Sequence, residues 1–489
     1  MESETTILAG SDIRIPEFAV LGHPNEGKSS VVSTLTENDQ IRISPIPGET
    51  TRSAAYTVKI DGQEIIRFVD TPGFQVPQQT LAWFKAHDGK SGNLVEQFIQ
   101  TFENDPFYAD ECELFGPVAR GAGIIYVVDG SRPVREDDLA EIEILRRTGR
   151  PRMAVINSKS DQKNYSADWK HEFLKNFNAI RVFNSNTADF NERIAMLESL
   201  KSIDQEWEGT LSKVIEVFES DWHKRKRMVC ADMAQMLENC LSYSVSEPIS
   251  SNSDVSMAKE QLNQTYEAHI KKFEQQMFRK IRALFKHHLF EYQLPEYSIL
   301  VHDLFSKQTW ELLGLTTGQL VGAGAVVGGG LGAVLDGATL GSSFGVFIAV
   351  GSLIGAGSAL WGGKKIAREK RAGLRLGGNR LTVGPNRNIQ FLYVLLDRVL
   401  IYTAHMMNRP HGRRDLKHVE SSVDISGNGG GDAGKKGYTT HFTMAQKRVS
   451  ARFFKVASRR LFSGDKLARQ DFQNLLESLI DGISKGSVG

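Results

Sequence analysis

FAVLGHPNEGKSSVVSTL, residues 18–35, sets an apolar run, a glycine-bounded loop and a second apolar run end to end. The loop, Gly22 to Ser30, fits G-x-x-x-x-G-K-[ST], and its flanks predict a strand before it and a helix after it. In that setting the backbone N–H groups of the turn converge at the positive end of the helix, where they cradle phosphate oxygens. Gly22, His23, Pro24, Asn25, Glu26, Gly27, Lys28, Ser29 and Ser30 are therefore the expected phosphate-facing stretch. Lys28 is expected to neutralise the β- and γ-phosphates, and Ser29 to ligate Mg2+. The plain alternative is a glycine turn without a ligand, and the strand–loop–helix setting favours phosphate.

Further pieces come in the order a guanine-nucleotide switch needs. Asp70-Thr71-Pro72-Gly73 ends an apolar run. Asp70 can hold the magnesium shell through water, and the Gly73 amide can sense a γ-phosphate. Upstream, Pro47-Gly48-Glu49-Thr50-Thr51-Arg52 offers a threonine hydroxyl for the same shell. Ser158-Lys159-Ser160-Asp161 follows the apolar run RMAVIN. The Asp161 carboxylate can accept hydrogen bonds from guanine N1 and N2, and left unsatisfied it rejects the wrong base. A last base-contacting loop is expected near Asn184, Ser185 and Asn186, although N-S-N-T also reads as a plain polar loop. The runs Phe18–Leu21, Ile65–Val69, Gly123–Val128, Arg152–Ile156 and Ile180–Phe183 are mostly separated by longer polar-apolar stretches, which predicts a mostly parallel α/β sheet. Ala55–Ile60 and Glu64–Val69, joined at Asp61-Gly62, predict one antiparallel hairpin.

P-N-x-G-K-S-S over Pro24 to Ser30, the T-T-R run and D-T-P-G together resemble the G domain of the Era/TrmE/EngA-like bacterial P-loop GTPases, over residues 14–200. ECELFGPVARGAGIIYVVDGSRP, VFNSNTADF and VGPNRNIQFLYVLLDR resemble a bacterial family that joins this GTPase to a C-terminal domain of unknown function. The resemblance implies GTP and GDP as ligands, hydrolysis of GTP, and Mg2+ held by Ser29, Asp70 and Thr51, with Thr50 as neighbour. It also implies K+ ligation by Asn25, beside which stabilisation of the loop turn stands as an equal reading. Lys28, Thr51, Gly73 and Asn25 are the expected catalytic set. Phe74 stands where Ras-like proteins place the water-orienting glutamine; a phenyl ring cannot orient water, so slow turnover is expected. Ser158 replaces the asparagine of N-K-x-D and loses the amide that braces the loop, which predicts weakened nucleotide affinity.

A chain of 489 residues exceeds one hydrophobic core, and 40% hydrophobic with 24% charged residues excludes wholesale disorder. Fifty-nine Lys and Arg balance 58 Asp and Glu, so no global field draws the chain to nucleic acid. No KH-type or zinc-knuckle signature is present, and HKRKR at 223–227 reads as a charged outer face. Cys112, Cys230 and Cys240 are too few and scattered for a disulfide scaffold, which fits a reducing compartment. The N-terminal stretch lacks the basic flank and apolar core of a secretory signal.

The expected fold is an α/β P-loop GTPase domain followed by a mainly α-helical domain containing a glycine-rich helical hairpin. Residues 1–13 read as a tail and 14–203 as the G domain. An insertion over 75–117 begins at the D-T-P-G motif and is placed to move when the γ-phosphate leaves. Its Trp83, His87 and Asp88 read as packing or surface residues. A helical region spans 204–313, the glycine hairpin 314–363, a basic and helical region 364–417, a flexible linker 418–440 and a helical segment 441–489.

Residues 314–363 hold sixteen glycines, many spaced by four, which would line one helix face. Each costs about 1 kcal/mol relative to alanine in a water-exposed helix. Leu312–Leu335 and Gly337–Gly363 are free of charge for 24 and 27 residues. At about 1.5 Å per residue either could cross a hydrocarbon layer of about 30 Å. Asp336 falls between them, and Lys364, Lys365, Arg368, Lys370, Arg371, Arg375 and Arg380 come next, as expected on a cytoplasmic side. A lipid bilayer is the favoured partner of 312–363, with tight helix packing inside a soluble protein or homo-oligomer as the alternative. The function expected is a GTP-hydrolysing switch coupled to a helical effector domain at the cytoplasmic face of the inner membrane, acting on an unknown protein effector. Two rivals are a soluble ribosome- or RNA-assembly GTPase and a GTP-binding scaffold with negligible hydrolysis.

Overall fold

Phe18, Val20, Ile125, Val127, Met153 and Val155 alternate along three strands with Ala19, Leu21, Ile124, Tyr126, Ala154 and Ile156, and both sets are fully buried. Successive strand residues face opposite ways, so a run that is apolar at every position belongs in a sheet covered on both faces. That sheet lies in the first of two units, residues 1–224 with 285–291 and 407–415; the second comprises 225–284, 292–406 and 416–489. The computed structural model describes residues 15–41, 52–88, 92–158, 164–185, 187–248, 255–287, 298–316, 319–320, 348–351, 380–411, 435–458 and 466–484.

In the first unit β1 (Glu17–Leu21), β2 (Ala54–Ile60), β3 (Gln63–Asp70), β4 (Gly123–Asp129), β5 (Arg152–Asn157) and β6 (Ala179–Phe183) lie in the order β2-β3-β1-β4-β5-β6. All neighbours are parallel except β2 and β3, the expected hairpin, whose turn residues Asp61 and Gly62 have φ of 49° and 83°. Positive φ at both positions gives a two-residue turn the twist its strands need. One sheet face is covered by α1 (Lys28–Thr36), α7 (Phe190–Lys201) and the start of α8 (Gln205–Ser242). Close approach decides one glycine here: a Cβ on Gly123 would lie 2.4 Å from the ring of Trp207, which itself meets Phe18 edge-on at 4.9 Å.

The opposite face is covered by α2 (Pro77–His87), α3 (Leu94–Phe102), α4 (Ala109–Ala119), α5 (Glu136–Arg147) and α6 (Ser166–Phe173). The first three form the segment read as an insertion, and they are held by a cluster of rings, with Phe84, Phe98 and Phe115 5.5–5.6 Å apart. Trp83 stacks on His87 at 4.0 Å and Asp88 pairs with Arg147. All three are thus packing or surface groups, as their sequence setting suggests.

The second unit contains the rest of α8, then β7 (Val245–Pro248), α9 (Val255–Leu284), α10 (Lys307–Leu312), β8 (Ile348–Gly351), β9 (Arg380–Val383), α11 (Ile389–Met407), α12 (Met444–Ala457) and α13 (Lys466–Ser484). Thr443 caps α12 through a reciprocal bond pair with Gln446, the arrangement that satisfies two orphan donors of a first turn. Phe391 to Leu400 of α11 are all buried, including Asp397 and Arg398. Arg398 is bidentate to Glu274 at 2.5 and 3.1 Å and donates to the His302 carbonyl at 2.9 Å. Asp397 accepts from the Gly314 amide at 2.7 Å and from the Thr439 amide and hydroxyl at 2.8 Å each. Burial lifts its pKa to about 6 against the pull of those donors.

Two expectations are corrected in this unit. Four-residue glycine spacing predicts helix across 314–363, but Ile348–Gly351 is a strand, antiparallel to Arg380–Val383 in a sheet ordered β7-β9-β8. A strand needs a partner edge, which glycine spacing cannot reveal. Arg380, counted with the basic cluster, is a sheet residue that reaches the Ser246 carbonyl at 3.4 Å. Most of the glycine-rich segment lies outside the described residues. Among the described residues no helix is long and apolar enough to cross a membrane. The second correction concerns 435–440, read as the end of a flexible linker. Thr439 is buried against Asp397, and Lys435 donates to the Leu313 carbonyl at 2.7 Å.

Candidate functional site

β1 ends at Leu21 and α1 begins at Lys28, so six residues must reverse the chain. Gly22, Asn25 and Gly27 do so with φ of 144°, 67° and 93°. A Cβ on Gly22 would lie 2.3 Å from the Val127 carbonyl oxygen, and one on Gly27 2.3 Å from Asn157 Nδ2. Glycine is therefore required at both ends, by close approach as well as by φ. Lys28 folds back across the loop, donating to the Gly22 and His23 carbonyls at 3.1 and 2.9 Å. Burial depresses its pKa, opposed by the charges of Asp70, Glu141 and Glu26. An ammonium has three donors, so one remains for an anion in the loop.

Asp70, at the end of β3, comes to the same place. Ser29 Oγ donates to Asp70 Oδ2 at 2.6 Å, while Asp70 Oδ1 is buried without a hydrogen-bond partner. Burial raises the Asp70 pKa, against the pull of Ser29 and Lys28. A hydroxyl beside a carboxylate with an unspent buried oxygen is a hard oxygen donor set, and it fits Mg2+. Gly73 closes the group: a Cβ there would lie 2.6 Å from Pro24. The tertiary fold thus brings together Gly22 to Ser30, Asp70 and Gly73. Thr50, Thr51, Lys159, Asp161 and Asn186 lie outside the described residues.

Asn157 was not legible as a site residue. Its Nδ2 donates to the Glu26 carbonyl at 3.1 Å, and its Oδ1 accepts from the Ser185 amide at 3.3 Å and hydroxyl at 3.2 Å. This side chain joins the phosphate-type loop to the loop after β6, a task the sequence denied to Ser158. Ser158 instead uses its amide on the Phe183 carbonyl at 3.0 Å. Counting back from Asp161 along the motif lands on Ser158, whereas the last residue of β5 points into the site. An asparagine at a strand end directly before the motif was the available signal. Asn157→Ala is expected to weaken GDP binding about 10–100-fold in calorimetry, because it frees a buried carbonyl and a buried amide. An unchanged affinity would remove the brace from the account.

Two buried networks beneath the loop also escaped the sequence. Glu26 receives the Asp129 amide and Arg132 Nε, the latter at 2.7 Å, and Arg132 is bidentate to Asp138 at 2.6 and 2.7 Å. The Arg132 guanidinium also lies 5.2 Å from the Trp169 ring. His23 Nδ1 meets Glu141 at 3.0 Å, and Tyr126 donates to the other Glu141 oxygen at 2.9 Å. The Glu141 hydrogen bond raises the His23 pKa, with burial opposing it. These contacts fix Glu26 and His23, while Lys28 bridges the Gly22 and His23 carbonyls.

Residues 171–477 match the family described as "Domain of unknown function (DUF3482)", and residues 17–158 match the one described as "50S ribosome-binding GTPase". The tRNA modification GTPase MnmE of Petrotoga mobilis is 26% identical over 165 residues, and the GTPase Der of Paraburkholderia phymatum 28% over 156. Those stretches are 34% and 32% of this chain, and the chain spans only 30% of the length of either relative. The GTP-binding protein EngB of Leuconostoc citreum is 29% identical over 176 residues, covering 36% of this chain and 77% of that protein. Among solved structures, Era in complex with MgGDPNP and 16S ribosomal RNA nucleotides aligns over 39% of this chain and 57% of its own, at a TM-score of 0.29 and 19% identity.

Proposed function

This chain belongs to the DUF3482 family, and from that premise we propose that it is a GTP-hydrolysing switch whose G domain governs the C-terminal helical unit. The observation that carries this is the meeting of Lys28 and Ser29 at the start of α1 with Asp70 and Gly73 from the end of β3 and beyond, with a buried Asp70 oxygen left unspent. Lys28 and the loop amides hold the phosphate oxygens. Ser29, Asp70 and Thr51 are the residues that would hold Mg2+, which would offset negative charge on the phosphates. The Gly73 amide contacts the γ-phosphate, Lys159 and Asp161 read guanine, and Ser185 and Asn186 border the base.

Turnover is slow, because Phe74 is buried edge-on against Phe115 at 6.0 Å and leaves water to be oriented by something else. Asn25, in its left-handed conformation within the loop, is the residue that would hold a K+ ion, which would supply positive charge to the transition state. Movement at Gly73 passes into α4, since Glu111 accepts from the Gln75 and Val76 amides at 2.8 and 2.7 Å. The uncharged, glycine-rich composition of 312–363 supports a position at the cytoplasmic face of the inner membrane in this reading. A soluble ribosome-assembly GTPase is the competing reading, favoured by the family description matched at 17–158.

The test is single-turnover phosphate release from GTP and from ATP, with Mg2+, in K+ and in Na+. Release from GTP at an intrinsic rate on the order of 10⁻⁴–10⁻² s⁻¹, absent with ATP, is the expected result. Equal rates in the two salts would remove K+; no release at all would leave a binding scaffold. Carbonate extraction of the full chain, beside a version lacking 312–363, separates the membrane reading from the soluble one.

A further inference from the structure

Beyond the far end of α1 the chain turns through Glu37, at φ 49°, and buries Asp39. Two later segments of the same unit return to this point. One brings His287, the other His411, and all three side chains are more than nine-tenths buried. Their ligand-type atoms lie within 4.8 Å of one another, and Asp39 Oδ2 stands 3.8 Å from His287 Nδ1. The two imidazoles stack with centroids 4.3 Å apart and planes 15° apart. His411 Nδ1 is buried without a hydrogen-bond partner. A buried imidazole nitrogen left unsatisfied is costly, and it asks for an explanation.

The surrounding charges narrow that explanation. Glu37, the other nearby carboxylate, is spent on Arg193 at 2.6 Å and on Lys286 at 3.0 Å. Ser33 donates to the His411 carbonyl at 2.9 Å, which fixes the backbone that carries the ring. Asp39 is the carboxylate whose ligand atom groups with those of the two imidazoles. Two nitrogens and one oxygen suit a borderline divalent ion such as Zn2+ or Co2+, and not Mg2+, which prefers oxygen alone. A tetrahedral ion with bonds of about 2.0–2.1 Å holds its ligands about 3.3 Å apart. From a spacing within 4.8 Å, the ligand atoms would draw in by about 1.5 Å at most on binding the ion.

We propose that Asp39, His287 and His411 form a divalent transition-metal site that clasps the end of α1 to two segments arriving 248 and 372 residues later in the chain, from Asp39 to His287 and from Asp39 to His411. Three protein ligands leave a tetrahedral ion one further position to fill. The site shares no residue with the nucleotide loop, so it stands or falls independently of the GTPase reading.

The experiment uses the full chain without an affinity tag, stripped with chelator and desalted. Co2+ is titrated in and followed by its visible d–d absorption, then displaced with Zn2+, and thermal unfolding is read with and without Zn2+. Wild type is expected to take up one tightly bound Co2+ that Zn2+ displaces. At a free Zn2+ concentration about 100 times Kd, its Tm should rise by roughly 5–10 °C. His411→Gln and Asp39→Asn should each weaken binding about 100-fold or more, the upper end of what even outer-shell changes cost. Their metal-free Tm, compared with that of metal-free wild type, shows whether each variant is folded. If His411→Gln fails to fold, Asp39→Asn carries the test, being isosteric. No Co2+ band and no Zn2+-induced shift in wild type overturns the proposal. So does metal uptake that survives in the variants, which would place the ion elsewhere.

Discussion

Lys28→Ala is expected to slow single-turnover GTP hydrolysis about 10²–10³-fold, the loss seen when one preorganised charge-stabilising donor is removed from a reaction centre. The side chain is buried and already spans the loop to the Gly22 and His23 carbonyls. Little reorganisation is therefore needed when charge grows on a phosphate. The same burial makes the lysine costly to the nucleotide-free protein, since desolvation disfavours its charged form. The nucleotide-free Tm of Lys28→Ala should then match or exceed that of wild type, while activity collapses. This opposition separates a catalytic lysine from a structural one, because removal of a structural lysine lowers both. Hydrolysis at the wild-type rate would remove Lys28 from the mechanism. A fall in Tm with activity retained would make it a loop brace.

Arg398→Met carries the largest expected stability effect, a loss of about 3–5 kcal/mol, because it strands Glu274 as a buried charge without its partner. Both side chains are nine-tenths or more buried on facing helices α9 and α11, and the arginine also serves the His302 carbonyl. For a unit of this size the loss corresponds to a Tm lower by roughly 6–20 °C. The double variant Glu274→Met with Arg398→Met should recover most of it. Two apolar side chains of similar volume remove the desolvation cost along with the attraction. A single-variant loss under about 1 kcal/mol would mean that the pair behaves like an exposed one. A double variant as unstable as the single would assign the loss to packing and to the His302 carbonyl.

The nucleotide loop was legible because its requirements are local. A strand, six residues and a helix fix where the amides point, and glycines at 22 and 27 are demanded by φ and by close approach. The same holds for the hairpin at Asp61-Gly62 and for the capped start of α12 at Thr443. Asn157 lay outside the motif count, which ignores where a strand ends. Glu-Asp-Asp-Leu-Ala-Glu, residues 136–141, reads as the polar face of a solvated helix, yet Asp138 and Glu141 are buried partners of Arg132 and His23. Periodicity marks apolar faces; it does not mark a carboxylate whose partner lies more than a hundred residues away, as His23 does from Glu141.

Sequence alone determined the α/β P-loop domain, the position of its phosphate-type loop and the helical character of the C-terminal region, because each rests on contacts between near neighbours in the chain. Tertiary structure alone decided the rest. It placed Asp70 Oδ1 beside Ser29 and Asn157 across the loop. It paired Ile348–Gly351 with Arg380–Val383 in a sheet where glycine spacing predicted a helix. It buried Arg398 and Asp397 in a helix that reads as merely amphipathic, and gathered Asp39, His287 and His411 at one point. Each of these needs partners brought from far along the chain, and a polar group's role is set by the partner that satisfies it once water is excluded.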